Sequence, residues 1–164
     1  MLPGIMIAAP CGRSGKTIVS IGLCDAMRRR GFAVQTFKKG PDFIDASWLA
    51  AASGMKCHNL DAFLMDEKTL VESFMSASNQ ADFVLIEGNM GFYDGIDPDG
   101  KGSSAHLSRL LRTPVILVVN TSRMSRSAAA LINGFNGFEP ETQIAGVILN
   151  NVSGERHKSK LIRA

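Results

Sequence analysis

The nine residues Ala9-Pro10-Cys11-Gly12-Arg13-Ser14-Gly15-Lys16-Thr17 lie between the apolar run Ile5-Met6-Ile7-Ala8 and an amphipathic segment that begins at Ile18. This order predicts a buried strand, then a loop of small residues, then a helix. In that arrangement, successive backbone N–H groups and the positive end of a helix converge on phosphate oxygens. The stretch therefore predicts a phosphate-binding loop at the start of an α/β fold.

The loop is a variant of the consensus G-x-x-x-x-G-K-[ST], because Pro10 stands where the consensus has its first glycine. We expect Lys16 to reach the β- and γ-phosphates and the Thr17 hydroxyl to bind a magnesium ion (Mg²⁺). An ordinary strand–helix turn is the alternative, but the order of strand, loop and helix favours a nucleotide site. The predicted nucleotide-binding residues of the loop are Gly12, Arg13, Ser14, Gly15, Lys16 and Thr17.

The composition indicates one domain, which we assign to residues 1–164. The chain is 45% hydrophobic and 20% charged, which suits a sizeable single core. A net charge of +3 without long blocks of like charge argues against binding to nucleic acid or to a membrane surface. The three cysteines lack the spacing of a disulfide framework or a thiolate metal site, so we expect reduced thiols in a cytoplasmic protein.

Continuous apolar runs separated by helical segments are typical of strands that are buried on both faces of a parallel sheet. The pattern predicts an α/β fold with a mostly parallel sheet and flanking helices, the P-loop NTPase fold. Ser103 is the predicted N-cap of one helix. The other predicted elements are strands at Ile5–Ala8, Phe32–Phe37, Phe83–Ile86, Pro114–Val119 and Ile144–Leu149, a loop at Lys38–Asp45, and helices at Ala46–Ala52 and Glu67–Ser78.

Polar residues follow several predicted strands, so they should gather with the phosphate loop at one edge of the sheet. Mg²⁺ prefers oxygen ligands, and Asp42 and Glu87 both come directly after strands. We therefore predict that Thr17, Asp42 and Glu87 bind Mg²⁺, and that Lys38 neutralises phosphate charge. The alternatives are a turn-forming role for Asp42 and a solvated strand end for Glu87.

Several blocks of the sequence resemble the cobyrinate a,c-diamide synthase family, and together they cover essentially the whole chain. The most specific blocks are Gly-Pro-Asp-Phe-Ile-Asp, from Gly40, and Glu-Gly-Asn-Met-Gly-Phe-Tyr-Asp-Gly, from Glu87. A generic nucleotide-binding domain would not share these two blocks. The remaining matching blocks are residues 12–17, 59–61, 104–107, 126–130 and 146–152.

The resemblance implies an enzyme that uses ATP and Mg²⁺ to activate the a- and c-acetate carboxylates of a corrinoid. A C-terminal glutamine amidotransferase domain, absent from this chain, supplies ammonia in that family. Lys16 and Lys38 would act in phosphoryl transfer, and Asn150 matches the position that reads the adenine. Asp45 and Asp94 match the remaining acids of the two blocks and would orient the substrate or ammonia. Both acids should lie further from Thr17 than Asp42 does. A homodimer is a further expectation.

Three alternatives stay open at this point. Closely related enzymes act on hydrogenobyrinate or nickel sirohydrochlorin, and nothing in the sequence separates these tetrapyrroles. Dethiobiotin synthetase and cobyric acid synthase belong to the same wider group, but the Gly-Pro-Asp-Phe-Ile-Asp block favours the a,c-diamide enzyme over cobyric acid synthase. A partitioning-type ATPase switch is a different class, but such switches carry a signature lysine early in the loop, where this chain has Cys11.

Overall fold

The computed structural model describes residues 3–164, which form a six-stranded sheet flanked by helices. The strands are β1 (Gly4–Ala8), β2 (Val34–Lys39), β3 (His58–Leu60), β4 (Phe83–Glu87), β5 (Val115–Asn120) and β6 (Ile144–Asn150). The helices are α1 (Lys16–Arg28), α2 (Phe43–Ser53), α3 (Glu67–Ser78), α4 (Ser104–Leu110), α5 (Arg126–Phe138) and α6 (Glu155–Arg163).

The strands are all parallel and lie in the order β3-β2-β4-β1-β5-β6. This confirms the predicted α/β fold. Strands β1 and β4 at the centre are apolar on both faces, since Met6, Ile7, Leu85 and Ile86 are all fully buried. Burial on both faces explains why these strands read as continuous apolar runs rather than as alternating patterns.

Two helical layers cover the sheet. On one face, α1 and α2 pack on a core that includes Ile7, Cys24, Leu49 and Leu85. On the other face, α3, α4 and α5 pack on a second core, and α6 contacts α5. The longest helices have 13 residues, and within residues 3–164 no helix has both the length and the apolar character that a membrane span requires.

Short polar side chains set where three helices begin. The side chain of Asp42 accepts hydrogen bonds from the backbone N–H groups of Ile44 and Asp45, which starts α2. Asp66 caps α3 in the same way, and Ser103 caps α4, as predicted. These caps satisfy N–H groups that have no partner within the helix.

The predicted loop Lys38–Asp45 is wrong at both ends. Strand β2 continues through Lys38 and Lys39, because it pairs with β4 on one side and β3 on the other. Helix α2 begins earlier than predicted, at Phe43, because Asp42 caps it. The loop is thereby reduced to Gly40–Asp42. Strand β3 was not predicted, since its three residues are too short to show a periodic pattern.

The segment between β4 and α4 is anchored to the core by Phe92, which is fully buried. The Phe92 N–H donates to the Ala9 carbonyl oxygen (2.8 Å), and its own carbonyl oxygen accepts from the Ala105 N–H (2.9 Å). Its ring also lies 4.7 Å from that of Tyr93, centroid to centroid. One aromatic residue thus joins the start of the phosphate loop to α4.

We expect Phe92→Ala to lower the free energy of unfolding by about 3–5 kcal/mol, because it leaves a cavity in a closed core. Urea denaturation followed by circular dichroism measures this loss. Phe32→Ala is the matched control, since Phe32 is 46% exposed and its loss should cost less than about 1 kcal/mol. Equal losses in the two variants would contradict the anchoring role of Phe92.

Candidate functional site

The phosphate loop lies at the carboxyl end of β1 and turns into α1 at Gly15, whose φ of 97° is left-handed. A Cβ at residue 15 would collide with the side-chain amide of Asn150. That amide nitrogen donates to the Ser14 carbonyl oxygen at 2.8 Å. Position 15 therefore needs glycine for its backbone angle and for the close approach of Asn150.

A cleft of about 420 Å³ opens in front of this loop. Lys16 extends into it, and its Nζ donates to the Met90 carbonyl oxygen at 2.8 Å and to that of Cys11 at 3.4 Å. Burial, together with the nearby Lys38 charge, lowers the pKa of Lys16. The residues lining the cleft are Gly12, Arg13, Ser14, Gly15, Lys16, Thr17, Ile18, Lys38, Asp45, Glu87, Asn89 and Met90.

Thr17 and Glu87 meet at the back of the cleft. The Thr17 hydroxyl donates to Glu87 Oε1 at 2.7 Å. Glu87 is fully buried, and its other carboxylate oxygen, Oε2, has no hydrogen-bond partner among the described residues. A buried carboxylate oxygen without a partner is costly, so it is available to a ligand or to a water molecule.

The same carboxylate holds Lys38, whose side chain is 2% exposed. Lys38 Nζ lies 3.0 Å from Glu87 Oε1 and 2.7 Å from Asp45 Oδ2. Burial by itself would lower the pKa of Lys38, but Glu87 and Asp45 outweigh that effect, and the net shift of this pKa is upward. Lys38 is therefore a buried ammonium that stays charged.

Asp45, and not Asp42, is the second carboxylate beside Thr17. Asp45 Oδ2 lies 3.4 Å from Thr17 Oγ1. Asp42 Oδ1 is engaged as the cap of α2, and Asp42 Oδ2 lies 3.8 Å from Lys38 Nζ. The prediction that Asp45 lies further out on a loop, away from Thr17, is therefore wrong, since Asp45 is in the first turn of α2. Burial would raise the pKa of Asp45, but its hydrogen bond and charge interaction with Lys38 lower it overall.

The donor set fits a hydrated divalent cation. The Thr17 hydroxyl, the unpartnered Glu87 Oε2 and the Asp45 carboxylate are all oxygen ligands, which Mg²⁺ prefers. Among residues 3–164, no three histidine, cysteine, aspartate or glutamate side chains form a metal-binding group. Mg²⁺ needs none, because it keeps several waters and shares its ligands with phosphate oxygens.

Asp94 and Asn150 lie at the borders of the site rather than along the cleft. Asp94 is exposed, and its Oδ2 accepts a hydrogen bond from the Gly91 N–H at 3.1 Å. Asn150 is engaged with the phosphate loop, as described above. Asp94 therefore stabilises the turn that carries Met90, and Asn150 supports the loop from the β6 side.

Sequence reasoning missed the roles of two residues, Met90 and Asn59, whose hydrogen bonds shape the site. The Met90 carbonyl oxygen bonds Lys16, and a main-chain acceptor leaves no side-chain signal in a sequence. Asn59 Nδ2 donates to the carbonyl oxygens of Gly40 (2.6 Å) and Asp42 (3.0 Å). Asn59 lies opposite Lys38 on β3, so a correct prediction of that short strand would have placed it there.

Comparison with curated proteins finds relatives that match nearly the whole chain. A cobyrinate a,c-diamide synthase from Syntrophotalea carbinolica is 45% identical over 99% of this chain and 36% of its own length. A cobyrinate a,c-diamide synthase from Listeria innocua is 46% identical, over 94% of this chain and 35% of its own. A hydrogenobyrinate a,c-diamide synthase from Brucella anthropi is 48% identical, over 98% and 37%. The chain thus spans about a third of the length of these relatives.

Known structures share the fold at low sequence identity. The signal recognition particle 54 kDa protein from Aeropyrum pernix, in complex with GDP, matches 94% of this chain and 36% of its own, with a TM-score of 0.63 and 18% identity. The receptor FtsY from Elizabethkingia anophelis matches 90% of this chain and 49% of its own, with a TM-score of 0.62 and 14% identity. At these identities, the likeness shows the P-loop NTPase fold alone.

One family model describes almost the entire chain. It is that of the CobQ/CobB/MinD/ParA nucleotide binding domain, and it matches residues 5–164. The matched range holds the phosphate loop and the Thr17–Glu87–Lys38–Asp45 cluster. On the fold, the site and this match together, the chain belongs to the CobQ/CobB/MinD/ParA nucleotide binding domain family.

Proposed function

We propose that this chain is the ATP-dependent synthetase domain, residues 1–164, of a corrinoid a,c-diamide synthase. A glutamine amidotransferase domain would supply ammonia from a separate part of the protein. The observation that carries the proposal is the 45% identity over 99% of the chain to a cobyrinate a,c-diamide synthase. The proposal includes a cytoplasmic location and a corrinoid polycarboxylate as substrate, with a homodimer as a possible assembly.

The first step in this proposal is phosphoryl transfer from ATP to a substrate carboxylate. A carboxylate is an anion at neutral pH and needs no general base, so a carboxylate oxygen attacks the γ-phosphorus directly. The bond from that phosphorus to its bridging oxygen breaks, and ADP leaves with the electron pair. The work left to the protein is positioning and charge neutralisation, for which Lys16 and Lys38 offer two ammonium groups in one cleft.

Thr17, Glu87 and Asp45 would hold Mg²⁺, which when bound supplies positive charge to the phosphate oxygens. Lys38 keeps the Glu87 and Asp45 carboxylates in place through contacts of 3.0 and 2.7 Å. We assign to Lys16 an exchange of its bond to the Met90 carbonyl for bonds to phosphate oxygens. The backbone N–H groups of residues 12–15 would bind the same phosphates.

The second step forms the amide. The ammonia lone pair attacks the acyl carbon of the acyl phosphate, phosphate leaves with the electron pair of the C–O bond, and the nitrogen gives up a proton. Asp94 is the exposed carboxylate next to the cleft, and we assign to it the orientation of the substrate or of ammonia. Asn150 is our candidate for the adenine contact.

Hydrogenobyrinate is a second candidate substrate. The Brucella anthropi relative that bears this name is 48% identical to the chain, compared with 45% for the Syntrophotalea carbinolica cobyrinate enzyme. Both names occur among relatives of nearly equal identity, so both corrinoids belong to the proposed substrate class.

We expect the 164-residue chain, given ATP, Mg²⁺ and cobyrinate, to form amides with ammonium chloride and none with glutamine. Mass spectrometry of the corrinoid measures each amide as a loss of about one mass unit, since OH is replaced by NH₂. Lys16→Ala should abolish the reaction, because Lys16 is a cation in the phosphate cleft. Lys39→Ala is the control, because it also removes a lysine. Lys39 is next to Lys38 in the sequence but does not line the cleft. Amidation by the Lys16→Ala variant, or glutamate release by the wild-type chain, would contradict the proposal.

Asp45→Asn and Asp42→Asn form a matched pair that tests the metal site. We expect Asp45→Asn to weaken Mg²⁺-dependent ATP binding by about tenfold or more, because it removes a carboxylate beside Thr17. Asp42→Asn should change that affinity by less than about threefold, because asparagine also caps helices well. Calorimetry with and without Mg²⁺ measures both. A larger loss in Asp42→Asn would return Asp42 to the metal site.

A further inference from the structure

Four large apolar side chains on α1 and α2, the helices that carry Thr17 and Asp45, are more than half exposed. Ile18 on α1 is 75% exposed, and on α2 Phe43, Ile44 and Trp48 are 79%, 58% and 59% exposed. We call these four residues the apolar rim. Exposed apolar residues that cluster, rather than lie singly, mark a surface that binds something.

The rim residues lie on two neighbouring helices. Helices α1 and α2 pack side by side, and Ile44 and Trp48 are four residues apart, which places them on the same side of α2. Ala46 and Leu49 occupy the buried side of that helix. On α1 the next outward position after Ile18 is Gly22, where an added Cβ would meet nothing within 4 Å. The surface of α1 beside the rim therefore carries no side chain at residue 22 and leaves space for a ligand.

The rim is continuous with the cleft. Ile18 follows Thr17 in the sequence and lines the cleft itself, and Ile44 precedes Asp45, which also lines it. Asp42 fixes this arrangement, because it caps α2 and so sets where Phe43 and Ile44 lie. A ligand bound to the rim therefore has one edge in the cleft, where the carboxylate that accepts the phosphoryl group must lie.

The charges beside the rim suit a polyanion. Residues 17–24 carry no charged side chain, and Asp45 is the one charged residue of α2. The Asp45 carboxylate is paired with Lys38 at 2.7 Å. Arg13 is exposed at the cleft. A ligand with carboxylates around its edge would thus meet cations at the cleft and no unpaired acid on the rim.

We propose that the apolar rim binds the flat, apolar face of the tetrapyrrole macrocycle, with Trp48 stacked on the ring and the acetate to be phosphorylated at the cleft. This inference rests on the proposed function and adds to it the surface that recognises the ring. Aromatic and aliphatic side chains next to a few polar groups are the usual composition of a site for such a ligand.

Trp48 is the single tryptophan of the chain, so its fluorescence reports directly on the rim. We expect cobyrinate to quench this emission on binding to the 164-residue chain, and citrate, a polycarboxylate without a ring, to leave it unchanged.

By calorimetry, Trp48→Ala should weaken cobyrinate binding by about tenfold, and Trp48→Phe by less than about threefold, because phenylalanine still stacks. Phe32→Ala, an aromatic control two residues before β2, should bind cobyrinate as the wild type does. Mg²⁺·ATP affinity should be the same in all variants, which also verifies folding.

Different outcomes overturn different claims. Cobyrinate binding that is unaffected by Trp48→Ala would overturn the rim and leave the proposed function standing, whereas a wild-type chain that does not bind cobyrinate would contradict both. A wild-type dimer that Trp48→Ala converts to a monomer, measured by sedimentation, would assign the rim to a second copy. Protection of residues 43–48 from hydrogen exchange, without ligand, in a chain extended to the length of the relatives would assign the rim to the rest of the protein. Each of these two results would overturn the proposal.

Discussion

The buried ion pair between Lys38 and Glu87 is the constraint on which the site depends. The two residues are direct partners in the parallel pairing of β2 with β4, so their side chains leave the sheet on the same face. Both are almost completely buried, and an isolated charge in that position would cost several kcal/mol. Asp45 from α2 and Thr17 from α1 complete the pair. Four elements of the fold therefore meet at one cluster of charges.

The phosphate loop is supported from two other directions. On one side, Asn150 holds the Ser14 carbonyl and needs the glycine at position 15. On the other side, the Met90 carbonyl holds the Lys16 ammonium. The carbonyl oxygens of Met90 and Cys11 accept hydrogen bonds from the Lys16 ammonium when no nucleotide is bound. Phosphate oxygens are also acceptors, so they can replace these carbonyl oxygens when a nucleotide binds. The loop is thus preorganised, which lowers the cost of binding phosphate.

The sequence was sufficient to predict the parallel sheet, the phosphate loop and the cap at Ser103, because each rests on local residues. It was not sufficient to decide which of Asp42 and Asp45 contacts Thr17. The choice depends on where α2 begins. Asp42 Oδ1 bonds the first amides of the helix, and its Oδ2 lies 3.8 Å from Lys38, whereas Asp45, in the first turn, is within hydrogen-bond distance of both Thr17 and Lys38. Strand β3 and the Met90 carbonyl were missed for a related reason. Their positions follow from tertiary pairing and main-chain geometry, and neither leaves a pattern in the side chains.

A double-mutant cycle on Lys38 and Glu87 tests most directly whether this ion pair organises the site. We expect Lys38→Met to lower the free energy of unfolding by about 3–5 kcal/mol, because it leaves the Glu87 carboxylate buried without its partner. Glu87→Gln should also be destabilising, and the double variant should lose at least about 2 kcal/mol less than the sum of the single losses. Arg29→Ala, which breaks the exposed pair with Asp25, is the control and should cost less than about 1 kcal/mol. Additive losses at Lys38 and Glu87, or a loss at Lys38 no larger than that of the control, would contradict the account.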